Sequence, residues 1–169
     1  MKTTGHLILV LAISLLFIQP IKSQKFGLGV SAIVNPQTES FGFGFRAEIP
    51  ANRLSIVPQI AYYPGFGKIT EFYGGLSLHF DMFNLGKNWT VYAIGHGAYN
   101  HWMNPKDGNQ PSNWDAEAGL GLKTTKCLRP FIEYRYNFKW YETNLRIGLM
   151  YFFGCRNKKS KAVRCPAYN

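Results

Sequence analysis

Between residues 24 and 153 the chain alternates, residue by residue, between greasy side chains and small or charged ones. A period of two belongs to β-strands, whose successive side chains point to opposite faces. Residues 24–34 place Phe26, Leu28, Val30, Ala32 and Val34 on one face, with Gly27, Gly29 and Ser31 opposite. After a turn at 35–38, the next segment sets Phe41, Phe43, Phe45, Ala47 and Ile49 against Gly42, Gly44, Arg46 and Glu48. One face suits hydrocarbon and the other does not.

The rule repeats along the chain. Residues 53–63 form a third segment, in which Pro58 removes one backbone donor. Residues 69–80 set Phe72, Leu76, Leu78 and Phe80 against Glu71, Tyr73, Ser77 and His79. A fifth segment covers 89–99. The sixth, 114–123, sets Ala116, Ala118, Leu120 and Leu122 against Glu117 and Gly121. The seventh, 128–140, sets Ile132, Tyr134, Tyr136 and Phe138 against Glu133, Arg135, Asn137 and Lys139. The eighth, 144–153, sets Leu145, Ile147, Leu149, Tyr151 and Phe153 against Arg146 and Gly148. No segment carries a helical period.

Eight is an even count, and the lengths suit tilted membrane strands of about 9–11 residues. Hydrocarbon tolerates no unpaired backbone group, so such a sheet must close. A water-soluble barrel would turn its apolar face inward and would leave Arg46, Glu48, Glu117, Glu133, Arg135 and Arg146 outside. The opposite assignment puts charges of both signs in a narrow lumen, where they can pair. Only 17% of residues are charged, against about 25% in soluble domains. The predicted fold is all-β, an eight-stranded antiparallel transmembrane barrel.

The first residues give an address. Lys2 precedes an almost unbroken apolar run over residues 7–18, Pro20 ends it, and Ser23 offers a small residue before a cut. That is a signal-peptide layout, and the run is short of the roughly 20 residues a spanning helix needs. The expected division is a leader at 1–23, a barrel at 24–153 and a basic tail at 154–169. No Cys stands at the cut to carry a lipid. With both barrel ends on one side, the turns near 50–52, 81–88 and 124–127 share that side. The connections near 35–38, 64–68, 100–113 and 140–143 lie opposite. The longest then falls outside, as membrane barrels prefer.

At the end of the last strand stands Arg146-Ile147-Gly148-Leu149-Met150-Tyr151-Phe152-Phe153. It resembles the assembly signal of outer-membrane barrels: a polar residue, a glycine, then two aromatics separated by one residue. Arg146, Gly148, Tyr151 and Phe153 fill those positions. The resemblance implies that the barrel-insertion machinery reads these four residues. As a whole, residues 24–153 resemble the small eight-stranded outer-membrane barrels, especially those of the Bacteroidetes type. The resemblance implies an outer-membrane location with periplasmic N- and C-termini, and lipid around the wall. Such barrels often stop at the terminal aromatic, whereas this chain continues for sixteen residues.

That tail carries Arg156, Lys158, Lys159, Lys161 and Arg164 within nine residues. A basic segment can meet anionic lipid or an acidic partner. Export by the leader argues against nucleic acid. Removing the leader lowers the formal net charge from +10 to +8. Three cysteines remain. A disulfide between Cys155 and Cys165 would close the tail into a loop and lower its ordering cost on docking; Cys127 with Cys155 is the other pairing to weigh.

Chemistry is sparse. Ser77 and His79 share a strand face, and Glu71 or Glu117 could orient the imidazole, which outlines a weak hydrolase alternative. All would point inward, away from lipid. His96, His101 and Asp107 lack a tight metal-ligand spacing, so no metal and no cofactor is expected. Trp89, Trp102, Trp114, Trp140 and Tyr141 suit an interfacial belt. An eight-stranded barrel is filled by its own side chains, which disfavours an open pore. The functional expectation is a non-enzymatic accessory or scaffold subunit of an envelope complex, in protein secretion or barrel assembly. A lipid-modifying hydrolase and a minor channel are the alternatives.

Overall fold

The structure is a computed structural model, and it describes residues 26–65, 70–103 and 112–154. Eight strands follow one another: β1 (Gly27–Asn35), β2 (Ser40–Ala51), β3 (Leu54–Tyr63), β4 (Glu71–Leu85), β5 (Trp89–Trp102), β6 (Ser112–Thr124), β7 (Leu128–Asn137) and β8 (Glu142–Phe152). Each pairs antiparallel with the next, and β8 returns to β1 to close the barrel. Closure leaves no free sheet edge, as hydrocarbon requires.

The alternation decides which face looks where. Val30, Phe43, Phe45, Ile60, Leu76 and Tyr134 are exposed on the outside. Arg46, Glu48, Glu117, Glu133, Arg135 and Arg146 are buried inside. The closing seam shows the principle: Leu28 stands opposite Tyr151 and Val30 opposite Leu149, all on the outer wall. Phe153 donates its N–H to the Phe26 carbonyl at 2.8 Å, and the two rings stack, so the seam continues past the last paired residues.

Strand boundaries depart from the sequence reading where alternation is interrupted. β4 runs on to Leu85 because an irregularity between Asp81 and Phe83 shifts its register on β5. A bulge of that kind inserts a residue and flips the apparent face. The expected turn over 81–88 contracts accordingly, with Gly86 at φ +66°. β7 stops at Asn137, three residues early, because its side-chain oxygen accepts the backbone N–H groups of Lys139 and Trp140 and starts the turn. Pro58 does stand inside β3, facing outward. The β2–β3 ladder passes from Arg46↔Gln59 to Ile49↔Ile56, omitting the positions beside it. A proline has no N–H to give there.

The interior is not uniformly polar. Toward the end that holds the chain termini, Phe131, Met150 and Phe152 cluster inside the lumen. Toward the other end, Ile33, Ala61, Tyr73 and Ala98 form a second cluster, with Tyr63 against it. The expected 155–165 disulfide is withdrawn: Cys155 and Cys165 lie outside the described residues, no disulfide joins two described residues, and the described cysteine that is disulfide-bonded is Cys127, at the β6–β7 turn.

Candidate functional site

Arg46, Glu117, Glu133, Arg135 and Arg146 occupy the layer between the two apolar clusters. The Glu133 carboxylate on β7 accepts hydrogen bonds from Arg46 on β2, from Arg135 Nη2 at 2.6 Å and from the Tyr92 hydroxyl at 2.7 Å. Glu117 on β6 faces Arg135 at 3.5 Å and Arg146 at 3.8 Å, accepts from Asn144 at 3.1 Å, and lies 3.1 Å from the Tyr73 hydroxyl oxygen. Gln59 completes the layer. Its carbonyl oxygen accepts from Arg146 at 3.1 Å, and its amide nitrogen lies 3.2 Å from the Ser77 hydroxyl. Arg46, Glu133, Arg135, Glu117 and Arg146 thus form a chain of alternating sign across the lumen, none more than 3% exposed. A lone buried ion is prohibitive, and alternation is what makes the layer tolerable. The Arg46 guanidinium also lies over the Phe131 ring, 3.4 Å from its centroid, which ties this layer to the apolar cluster beneath.

Above and below the charged layer lie two mouths. The outer mouth is a cavity of about 350 Å³ that reaches Tyr63, Glu71, Tyr73, Asn100, Trp102 and Glu142 among others. The inner mouth, about 320 Å³, holds Glu48, Asp81 and Lys123. There Lys123 bridges Glu48 at 3.1 Å and Asp81 at 2.9 Å.

The residues proposed for hydrolysis do not assemble. Ser77 bonds His96 Nδ1 at 2.8 Å, not His79. His79 packs on the Tyr92 ring at 4.9 Å between centroids, and among the described residues neither of its ring nitrogens has a hydrogen-bond partner. Glu71 sits at the outer mouth, bonded to the Asn100 amide. The Ser77–His96 pair was invisible in the sequence because it depends on β4–β5 register, which sets Ser77 opposite His96. Both residues are buried in the lumen wall. Among the described residues no group of three or more His, Cys, Asp or Glu side chains converges on a metal position. His101 is exposed, and Asp107 lies outside the described residues.

The four residues that resemble an assembly signal divide between the two faces. Arg146 joins the charged layer, and Gly148 lies against the Phe131 ring, where a Cβ would collide. Tyr151 and Phe153 face outward and pack edge to face at 5.1 Å. Trp89, Trp114, Trp140 and Tyr141 are exposed, as a belt requires. Trp102 is half-buried in the outer mouth opposite Glu71, and Trp140, its ring 5.9 Å away, lines that mouth as well. Arg156, Lys158, Lys159, Lys161 and Arg164 lie outside the described residues.

No protein-family model and no curated protein matches the chain. Solved structures do. The N-terminal β-barrel domain of Pseudomonas aeruginosa OprF superposes with a TM-score of 0.60 at 12% identity, covering 77% of this chain and 98% of that one. The Yersinia pestis outer membrane protein Ail, in a phospholipid bilayer nanodisc, gives 0.52 at 12% identity, covering 78% and 100%. A de novo designed transmembrane β-barrel gives 0.54 at 13% identity, covering 78% and 97%. Likeness at this identity concerns the fold. The chain is an eight-stranded antiparallel closed barrel with the fold of known outer-membrane barrels.

Proposed function

We propose that this barrel is a non-conducting, non-enzymatic scaffold: an accessory subunit of an envelope complex, of the Bacteroidetes type, engaged in protein secretion or barrel assembly. The observation that carries the reading is the charged layer from Arg46 to Arg146, which fills the lumen with mutually paired side chains. A lumen so occupied offers neither a wide water path nor an accessible nucleophile, which leaves the surfaces and extensions of the barrel to carry the function. On this reading residues 1–23 are the leader, lipid surrounds the wall, and the insertion machinery reads Arg146, Gly148, Tyr151 and Phe153. The basic residues 156–164 dock an envelope partner.

Gentle detergent extraction of the tagged protein, with and without residues 154–169, tests it. The full chain is expected to bring down a defined set of envelope proteins, and the truncated chain is expected to fold and lose them. Recovery of the same set from both rejects the docking role. Recovery of none from either rejects the scaffold.

A further inference from the structure

Three carboxylates face the outer mouth with no cation paired to them among the described residues. Glu71 is bonded to the Asn100 amide, Asp115 accepts from the Tyr73 hydroxyl at 3.0 Å and from Asn137 at 2.9 Å, and Glu142 accepts from Asn35 at 2.6 Å. Each holds neutral donors only, and among the described residues none of the three enters an ion pair, in contrast with the charged layer below. The rim cation Lys139 donates instead to Asn113 at 2.9 Å and to the Trp114 carbonyl at 3.1 Å.

The walls match the charge. Trp102 and Trp140 lie with their rings 5.9 Å apart at the entrance, and Tyr63 and Tyr73 line the depth. Aromatic faces attract organic cations, and they do so best where water is displaced. A further observation is independent of the carboxylates. Asn100, only 2% exposed and part of the cavity wall, has a side-chain oxygen with no hydrogen-bond partner among the described residues. A buried acceptor without a donor calls for an explanation, and a ligand N–H supplies one.

A single metal ion does not fit, because among the described residues these acids do not converge on a point. Charges spread around a cavity of about 350 Å³ are met by a ligand whose own charges are spread. The geometry points to a binding site for a linear diammonium or polyammonium compound. One ammonium lies between Glu71 and the Asn100 oxygen, another near Glu142, and the methylene stem lies against Trp102 and Trp140.

The probe is spermidine, titrated into the full mature protein in a neutral detergent at low salt, followed by calorimetry and tryptophan fluorescence. Expected is saturable one-to-one binding, weakened about tenfold by Glu71→Gln and by Glu142→Gln. Butylamine, with one charge, is expected to bind far more weakly, and the exposed-turn control Glu39→Gln to leave affinity unchanged. Heat-modifiable gel mobility confirms folding of each variant, and Glu142→Gln decides the matter if Glu71→Gln does not fold. Absence of saturable binding overturns the site. So does an equal loss on Glu39→Gln, or Mg²⁺ binding tighter than spermidine.

Discussion

Arg46 on β2 and Glu133 on β7 form an ion pair straight across the lumen, although β1 and β8 separate their strands along the wall. Both side chains are almost wholly buried. Glu133 also holds Arg135 and Tyr92, so its loss strands two guanidinium groups, whereas loss of Arg46 leaves Glu133 with two donors. Glu133→Leu is therefore expected to cost roughly 3–5 kcal/mol, and Arg46→Met clearly less. Urea unfolding in liposomes reads the order. Equal costs would show that the lumen does not depend on Glu133 as its hub.

Gly148 has a packing role of its own, apart from the assembly role proposed for it. A Cβ there meets the Phe131 ring and the Val30 carbonyl. Gly148→Ala is expected to destabilise the barrel by about 1–3 kcal/mol through overpacking, with partial recovery when Phe131→Leu is added. Refolding of the purified chain into liposomes, with no insertion machinery present, measures this. Unimpaired refolding of Gly148→Ala would assign the glycine to recognition alone.

The outer wall makes a separate demand. Phe45 is exposed, paired with Val30 on one side and Ile60 on the other, well within the apolar band. Phe45→Arg is expected to cost about 2–4 kcal/mol in a bilayer, compared with Phe45→Leu. A cost that is absent in lipid would remove the case for a membrane-facing wall.

Ser77 and His96 sit in hydrogen-bond contact yet are sealed in the lumen. A fluorophosphonate probe is expected to leave the folded protein unlabelled, and planar bilayers to show no unitary conductance. Labelling at Ser77 would revive the hydrolase reading. Steady channel steps would revive the minor channel.

How far these features were legible in the chain follows from how each is encoded. Face assignment is local: Phe41, Phe43 and Phe45 against Arg46 is written in adjacent residues, and it yielded strand number, closure and the inward set of charges. Partnership is not local. Nothing near Ser77 names His96, because their contact depends on register between two strands. Irregularities misled for the same reason. The β4 irregularity near Asp81 breaks the period and read as a turn, and the Asn137 side chain ends β7 within a still-alternating run. Phe131, Met150 and Phe152 share the parity of the charged residues on their strands, and all three are interior. Apolar character hid them, since a large ring suits either side of a small barrel. Trp102 was assigned to the belt by residue type, and parity with Asn100 would have turned it inward.

The cross-lumen pair has a consequence for how the molecule comes into being. Arg46 arrives early in the chain and Glu133 late, and they meet only when the first and last strands have joined to complete the ring. A half-built ribbon holds arginines and glutamates that have no opposite wall to answer them, so it gains little by entering lipid on its own. Insertion and ring closure are thereby coupled into one concerted event.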